Sequence, residues 1–207
     1  MKIIIFGASG SVGCHLVDLA LTAGHSVTAF GRNPSVLTTD HANLVRQAGD
    51  VLDPASVLSG VGGHDVVMIA LGAGRKGTVR VAGTQNIIAA MTHHGLRRLV
   101  SASTLGAGYS YPVLNFFWKR VMFGLLLHDA FSDHQMQEKA IRQTDLDWVT
   151  VRPGAYTDGP VTGVYKYGFE ATEKNVALKI SRADVAGFLF QLLTGTTWRR
   201  QTLGFSY

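Results

Sequence analysis

The sequence predicts an α/β fold in which a doubly wound parallel sheet is covered by helices on both faces. Three observations predict it. Apolar runs of strand length alternate with stretches of helical length as far as about Leu193. The run Asp65-Val66-Val67-Met68-Ile69-Ala70 is almost continuously apolar, as in a strand buried on both faces. A chain of 207 residues that is 46% apolar can bury one substantial core, so residues 1–207 read as one domain.

The elements follow in order. Lys2-Ile3-Ile4-Ile5-Phe6 is a first strand, broken by Gly7-Ala8-Ser9-Gly10-Ser11-Val12-Gly13. A helix follows from about Ser11 to Ala23 and is closed by Gly24. His25 to Phe30 is the second strand, with Arg32 just beyond it. Leu44 to Gln47 is a third strand. Asp50-Val51-Leu52-Asp53-Pro54 leads into a short helix around Ala55 to Leu58. After the central strand at 65–70, a long helix is expected from about Thr78 to His94, ended by Gly95. Leu96 to Ala102 and Leu146 to Val151 are the fifth and sixth strands. Ser110-Tyr111-Pro112 reads as a helix start, and Val113 to Leu127 as an apolar helix. Ser181-Arg182-Ala183-Asp184 resembles a capping box opening a late helix.

The turn between the first strand and helix carries the chemistry. Unpaired N–H groups at a helix N-terminus suit a pyrophosphate. Turning sharply, letting a phosphate approach, and packing helix on sheet each favour a residue without Cβ. Gly7, Gly10 and Gly13 meet these demands in that order, and Ser9 and Ser11 add hydroxyl donors. This is a Rossmann-type dinucleotide site in the spacing G-x-x-G-x-x-G. A carboxylate after the second strand would select NAD. Here that place holds Phe30-Gly31-Arg32-Asn33-Pro34, and an arginine accommodates a 2′-phosphate. NADP(H) is therefore the expected cofactor. The competing reading of Arg32 is an ordinary surface charge.

Composition sets bounds. The formal charge of +5 suits an anionic ligand, yet there is no dense Lys/Arg run and no nucleic-acid motif, so no nucleic-acid partner is expected. Cys14 is the only cysteine, which precludes an internal disulfide and agrees with a cytoplasmic location. Its bland reading is a small packing residue. No apolar stretch approaches the ~20 residues of a membrane span. No metal site is expected.

In such sheets, ligands lie beyond the C-terminal strand ends. Residues 7–13 would hold the pyrophosphate and Arg32 the 2′-phosphate. Asp50 and Val51 would lie near the adenine, although Asp50 also reads as a turn residue. Ala70, Leu71 and Gly72 would flank the middle of the cofactor. Ser103 and Thr104 would sit near the nicotinamide, with Pro153, Gly154, Ala155 and Tyr156 beside it. The two hydroxyls read equally well as caps of backbone groups.

These residues resemble the short-chain dehydrogenase/reductase superfamily in its atypical NAD(P)H-binding, NmrA-like branch. The carrying pieces are residues 7–13, Gly49-Asp50-Val51, Gly83-Thr84-Gln85-Asn86-Ile87-Ile88 and Asp147-Trp148-Val149-Thr150-Val151-Arg152-Pro153-Gly154. More narrowly, Ala89-Ala90-Met91 with His94-Gly95, Asp133-His134 and residues 158–165 resemble the flavin reductase family, also called biliverdin reductase B. The resemblance implies an NADPH-dependent reductase acting as a monomer. Its partner would be a small planar acceptor: a flavin such as FMN or FAD, a biliverdin-like tetrapyrrole or a quinone. It also matches Arg75 to an arginine of the loop after the fourth strand, where it would reach the phosphates or stay solvated.

The departures sharpen this. Many superfamily members use Tyr-x-x-x-Lys, in which the lysine helps the tyrosine pass a proton. The residues four beyond Tyr109, Tyr111, Tyr156, Tyr165 and Tyr167 are Val113, Asn115, Pro160, Phe169 and Ala171. By alignment, the Tyr and Lys slots fall near Ala130 and His134. An acceptor needing little acid catalysis is favoured. The family's pocket serine is matched by Thr104, and its histidine by Ala155, followed by Tyr156. Thr104 and Tyr156 are thus the expected catalytic or pocket-shaping residues. His134 is expected to make a structural hydrogen bond beside Asp133. The apolar segment 110–128 is read as a lid or core helix, with a membrane-surface contact, a quinone pocket or a dimer face as rivals. A nucleotide-sensing regulator without turnover is the second functional reading.

Overall fold

A computed structural model describes the chain except residues 75, 76, 78, 174 and 196. Six parallel strands come first: β1 (Lys2–Phe6), β2 (Ser26–Gly31), β3 (Leu44–Ala48), β4 (Val66–Ile69), β5 (Arg98–Ala102) and β6 (Asp147–Pro153). Two short strands, β7 (Ala155–Thr157) and β9 (Lys179–Ser181), pair with each other apart from the main sheet. Between them lies β8 (Lys166–Tyr167), and β10 (Gln201–Ser206) ends the described strands. The main sheet has the order β3-β2-β1-β4-β5-β6-β10-β8. All its neighbours are parallel except β10 with β8. The strand order reverses at β1, so a crevice opens between the ends of β1 and β4.

Five helices cover the faces: α1 (Gly13–Thr22), α2 (Pro54–Val61), α3 (Val79–His94), α4 (His128–Arg142) and α5 (Arg182–Gln191). The alternation of β1 shows how. Ile3 and Ile5 pack with Leu16, Val17, Val185 and Leu189 on the α1/α5 face. Ile4 and Phe6 pack with Val57, Ile87, Met91 and Ile141 on the face of α2, α3 and α4. Successive side chains point to opposite faces, so an unbroken apolar run serves both cores.

The expected first six strands are present, with no end shifted by more than two residues. The first helix begins at Gly13 rather than Ser11. The segment 110–128 departs more. It forms a 3-10 helix over Gly108–Val113, then a π-helix over Trp118–Leu126. Pro112 lacks an N–H and disfavours helical geometry before it, so no α-helix runs through this point. Helical winding restarts after Asn115, whose Oδ1 accepts from the Trp118 N–H at 3.0 Å. Leu105, Leu114, Phe123 and Phe131 form a third, smaller core there, and the Phe123 and Phe131 rings stack at 4.3 Å.

Two polar networks tie β6, α4, α5 and the segments around them together. Arg152 on β6 is fully buried and donates from Nε and Nη2 to the Glu138 carboxylate of α4, at 2.9 and 2.6 Å. The second network centres on Asp184, which accepts from Thr162 N, Gly163 N, Thr162 Oγ1, Ser181 Oγ and Tyr207 Oη. Ser181 caps α5 by accepting from the Asp184 N–H. The expected capping box is therefore half formed, since the Ser181 N–H goes to Tyr207 Oη instead. Burial would raise the Asp184 carboxyl, but its hydrogen bonds outweigh that and hold it down at about 2.

Removing one partner of a buried pair strands the other charge. Glu138→Gln should cost about 3–5 kcal/mol in urea denaturation. Asp184 sits below its ordinary value of 3.8, so its contribution is complete above that pH and is lost as pH falls towards 2. Asp184→Asn should lower stability at neutral pH and flatten the acid limb of the stability curve below about pH 4. An unchanged acid limb would contradict the network.

Candidate functional site

Two connected spaces open at the C-terminal strand ends. The first, of about 490 Å3, is lined by Gly7, Ser9, Gly10, Arg32, Asp50, Val51, Leu71 and Gly72 among others. The second, of about 400 Å3, is lined by Gly10, Ser11, Val12, Ala70, Leu71, Gly72, Ser103, Thr104, Pro153, Gly154, Ala155 and Tyr156. They meet at Gly10, Leu71 and Gly72. The expected residues are thus brought together along one groove that widens into a cavity. Ala8 and Gly13 line neither space. Ala8 is buried in the core beneath the turn, and Gly13 packs against it. Arg75 lies outside the described residues.

The turn fits a dinucleotide for reasons visible in the backbone. Gly7 has φ +83°, and a Cβ there would lie 2.4 Å from the Ala70 carbonyl oxygen. A Cβ on Gly13 would lie 2.1 Å from the Gly7 carbonyl oxygen. Hydrogen at Gly7 lets the turn lie against the end of β4, and hydrogen at Gly13 lets the helix lie against the turn. Helix N-termini decide where an anion goes. The α2 end is capped by Asp53, and the α5 end by Ser181. At α3, the Asp133 carboxylate of α4 accepts from Arg80 N and Val81 N, each at 3.0 Å. The α1 end has no side-chain cap. The residues that lead into it, Gly10, Ser11 and Val12, line the cavity, so an anion lying there meets the positive end of the helix dipole. Arg32 is exposed at the groove rim, where it can reach a phosphate. Asp50 serves both readings: it lines the groove, and its Oδ1 accepts from the Leu52 N–H at 2.9 Å.

The cavity has an apolar roof and polar walls. Leu114, Trp118, Phe123 and Leu127 form the roof, so one face of the 110–128 segment covers the site. Phe116 and Leu125 stay about three-quarters exposed on the other. The Ser103 hydroxyl is buried without a partner among the described residues, so it caps nothing. Thr104 Oγ1 reaches only the Leu105 carbonyl, at 3.5 Å. Tyr156 opens onto the cavity, while burial pushes its hydroxyl up to about 12 against the opposing charges of Arg80 and Arg182. It stays protonated at neutral pH and cannot act as a base there.

Three lining residues were not anticipated in these roles: Arg80, His134 and Arg182. Asp133 accepts from the α3 N–H groups, and His134 has Gln137, one turn on, as its hydrogen-bonding neighbour. Burial and the charge of Arg80 push His134 down to about 3, so it is neutral at physiological pH. A faint signal existed for the arginines. Arg80 and Arg182 lie in the first turns of α3 and α5, where the helix dipole disfavours a cation.

Comparisons with known proteins agree with this geometry. A family model described as NAD(P)H-binding matches residues 7–196. A 2-alkyl-3-oxoalkanoate reductase from Stenotrophomonas maltophilia is 36% identical over 113 residues, covering 50% of this chain and 33% of the relative. The chain spans about a third of the length of the curated reductase and dehydrogenase relatives that it matches in this way. The fold is shared with an anaerobilin reductase from Escherichia coli O157:H7, at TM-score 0.81 and 22% identity, covering 100% of this chain and 97% of that one. It is also shared with a short-chain dehydrogenase/reductase from Veillonella parvula solved with NADP, at TM-score 0.85 and 18% identity, covering 100% and 94%. No helix among the described residues is long and apolar enough to cross a membrane.

Gly13→Ala should break the close approach, costing about 1–3 kcal/mol and at least tenfold in nucleotide affinity. Gly187→Ala, where a Cβ meets nothing within 4 Å, should leave both nearly unchanged or slightly raise stability. Thermal melts and nucleotide titrations would read both effects.

Proposed function

The chain belongs to the NAD(P)H-binding family, and on that footing we propose that it is an NADPH-dependent reductase of a planar acceptor. The acceptor is a flavin such as FMN or FAD, a biliverdin-like tetrapyrrole or a quinone. The observation that carries this is the cavity of about 400 Å3 that continues the groove and is walled by Trp118, Phe123 and Tyr156. A half-open space with aromatic walls suits a flat ring stacked beside the cofactor's reactive end.

Residues 7–13 and the α1 N-terminus hold the pyrophosphate, while Arg32 pairs with the 2′-phosphate. Ala70 to Gly72 and Pro153 to Ala155 flank the middle and the nicotinamide end. Bound there, NADPH supplies a hydride, two electrons and one proton, to the acceptor. A second proton from water completes the reduction of a flavin or quinone. The chain's own residues position the rings and exclude water. Thr104 and Tyr156 shape the pocket. Tyr156 and the neutral His134 are poor proton donors at physiological pH, which favours an acceptor that needs no protein acid.

A regulator that binds NADP(H) without turnover is the second reading, favoured by the missing Tyr-x-x-x-Lys pair. The aromatic-walled cavity beside the groove favours the enzyme. Mixing protein, NADPH and FMN, biliverdin or a quinone should give loss of nucleotide absorbance. No oxidation with any of them, together with tight NADP(H) binding, would favour the regulator. Arg32→Ala should weaken NADPH binding about 10- to 100-fold and NADH less than twofold, by loss of a charged hydrogen bond. Equal losses for both nucleotides would remove the 2′-phosphate role.

A further inference from the structure

Two guanidinium groups and an imidazole line one cavity. Arg80 comes from α3, His134 from α4 and Arg182 from the start of α5. Arg80 is 7% exposed, and its Nη1 faces Asp133 Oδ2 at 3.4 Å. Arg182 donates from Nη1 to Asp158 at 2.6 Å. A guanidinium carries five N–H donors and no acceptor, so these contacts leave donors over on both side chains. The cavity wall is therefore rich in donors and in positive charge.

Charge narrows the chemistry. The Asp133 carboxylate is shared between Arg80 and two backbone N–H groups of α3. Asp158, the partner of Arg182, is 95% exposed and therefore screened by water. What remains uncompensated inside the cavity is well short of two full positive charges. A monoanion fits this better than a phosphate dianion. The Arg182 guanidinium lies 5.6 Å from the Tyr156 ring centroid, which sets the anion beside the ring that walls the pocket.

We infer that the acceptor carries a carboxylate, which Arg80 and Arg182 bind beside Tyr156 with His134 as a further contact. This selects among planar rings by an acidic side chain, and it rests on the reductase reading for the acceptor's place. Each guanidinium offers N–H donors to the carboxylate oxygens. A charge-assisted bond of this kind in a desolvated site is strong and directional.

The test uses the full chain loaded with NADP+ and a naphthoquinone bearing a propionate side chain, compared with its methyl ester, by titration calorimetry. The acid should bind at least about tenfold tighter than the ester. Arg80→Met and Arg182→Met should each bring that ratio below about threefold, while NADP+ affinity changes less than about twofold. Arg80→Lys should recover part of the preference, and circular dichroism would confirm folding. Should Arg80→Met fail to fold, Arg182→Met carries the comparison alone. Equal binding of acid and ester, or binding of neither, would overturn the inference. So would a loss of NADP+ affinity as large as the loss of acid affinity, which would give the arginines to the nucleotide. A preference for the acid without any NADPH oxidation would uphold this inference while removing the reductase reading.

Discussion

The bidentate pair between Arg152 and Glu138 fixes the substrate half of the molecule. Arg152 lies one residue before Pro153, where β6 reaches the cavity, and Glu138 lies one turn beyond His134 on α4. The Arg152 guanidinium also stacks over the Tyr109 ring at 4.5 Å, which brings in the segment leading to the roof. Strand end, helix and roof are therefore referred to a single planar group. Such a pair adds little net stability over an apolar pair of equal volume. Its fork geometry is satisfied only when strand and helix stand in one relative position.

The cofactor half is organised by a different rule. Parallel topology aims several helix N-termini at one edge of the sheet, and each would attract an anion. Carboxylates or hydroxyls of the chain satisfy α2, α3 and α5. Neither α1 nor α4 has a side-chain cap, and of the two only α1 follows a glycine turn that lines the groove. The Asp133 cap has a second effect, because it supports the Arg80 side chain at the cavity wall. One carboxylate thus closes an anion site at α3 and helps to build the cationic wall beside it.

Much of this was legible in the residues, and the remainder was hidden for physical reasons. β1, β2 and β4 show as apolar runs because burial on both faces leaves little room for polar residues. By contrast, β3 is a largely exposed edge strand, and the parallel strand β10 was not anticipated. β7, β8 and β9 have two or three residues each, too few to show any period. The groove was legible because backbone geometry demands particular residue types at fixed spacing. Arg80, His134 and Arg182 come from three helices far apart in sequence, and only tertiary packing joins them. The break in 110–128 follows from Pro112 and Asn115, both readable, yet the π winding between Trp118 and Leu126 leaves no mark in the apolar pattern.

The close contact of Gly13 with the Gly7 carbonyl has a consequence for descent. The nucleotide cradle is made of main-chain atoms, and almost any substitution at these glycines collides with them. The neighbouring cavity is made of side chains, each replaceable without moving the frame. Sequence change is therefore held back at the turn and tolerated at the wall, so one scaffold can present differently shaped pockets above the same main-chain cradle.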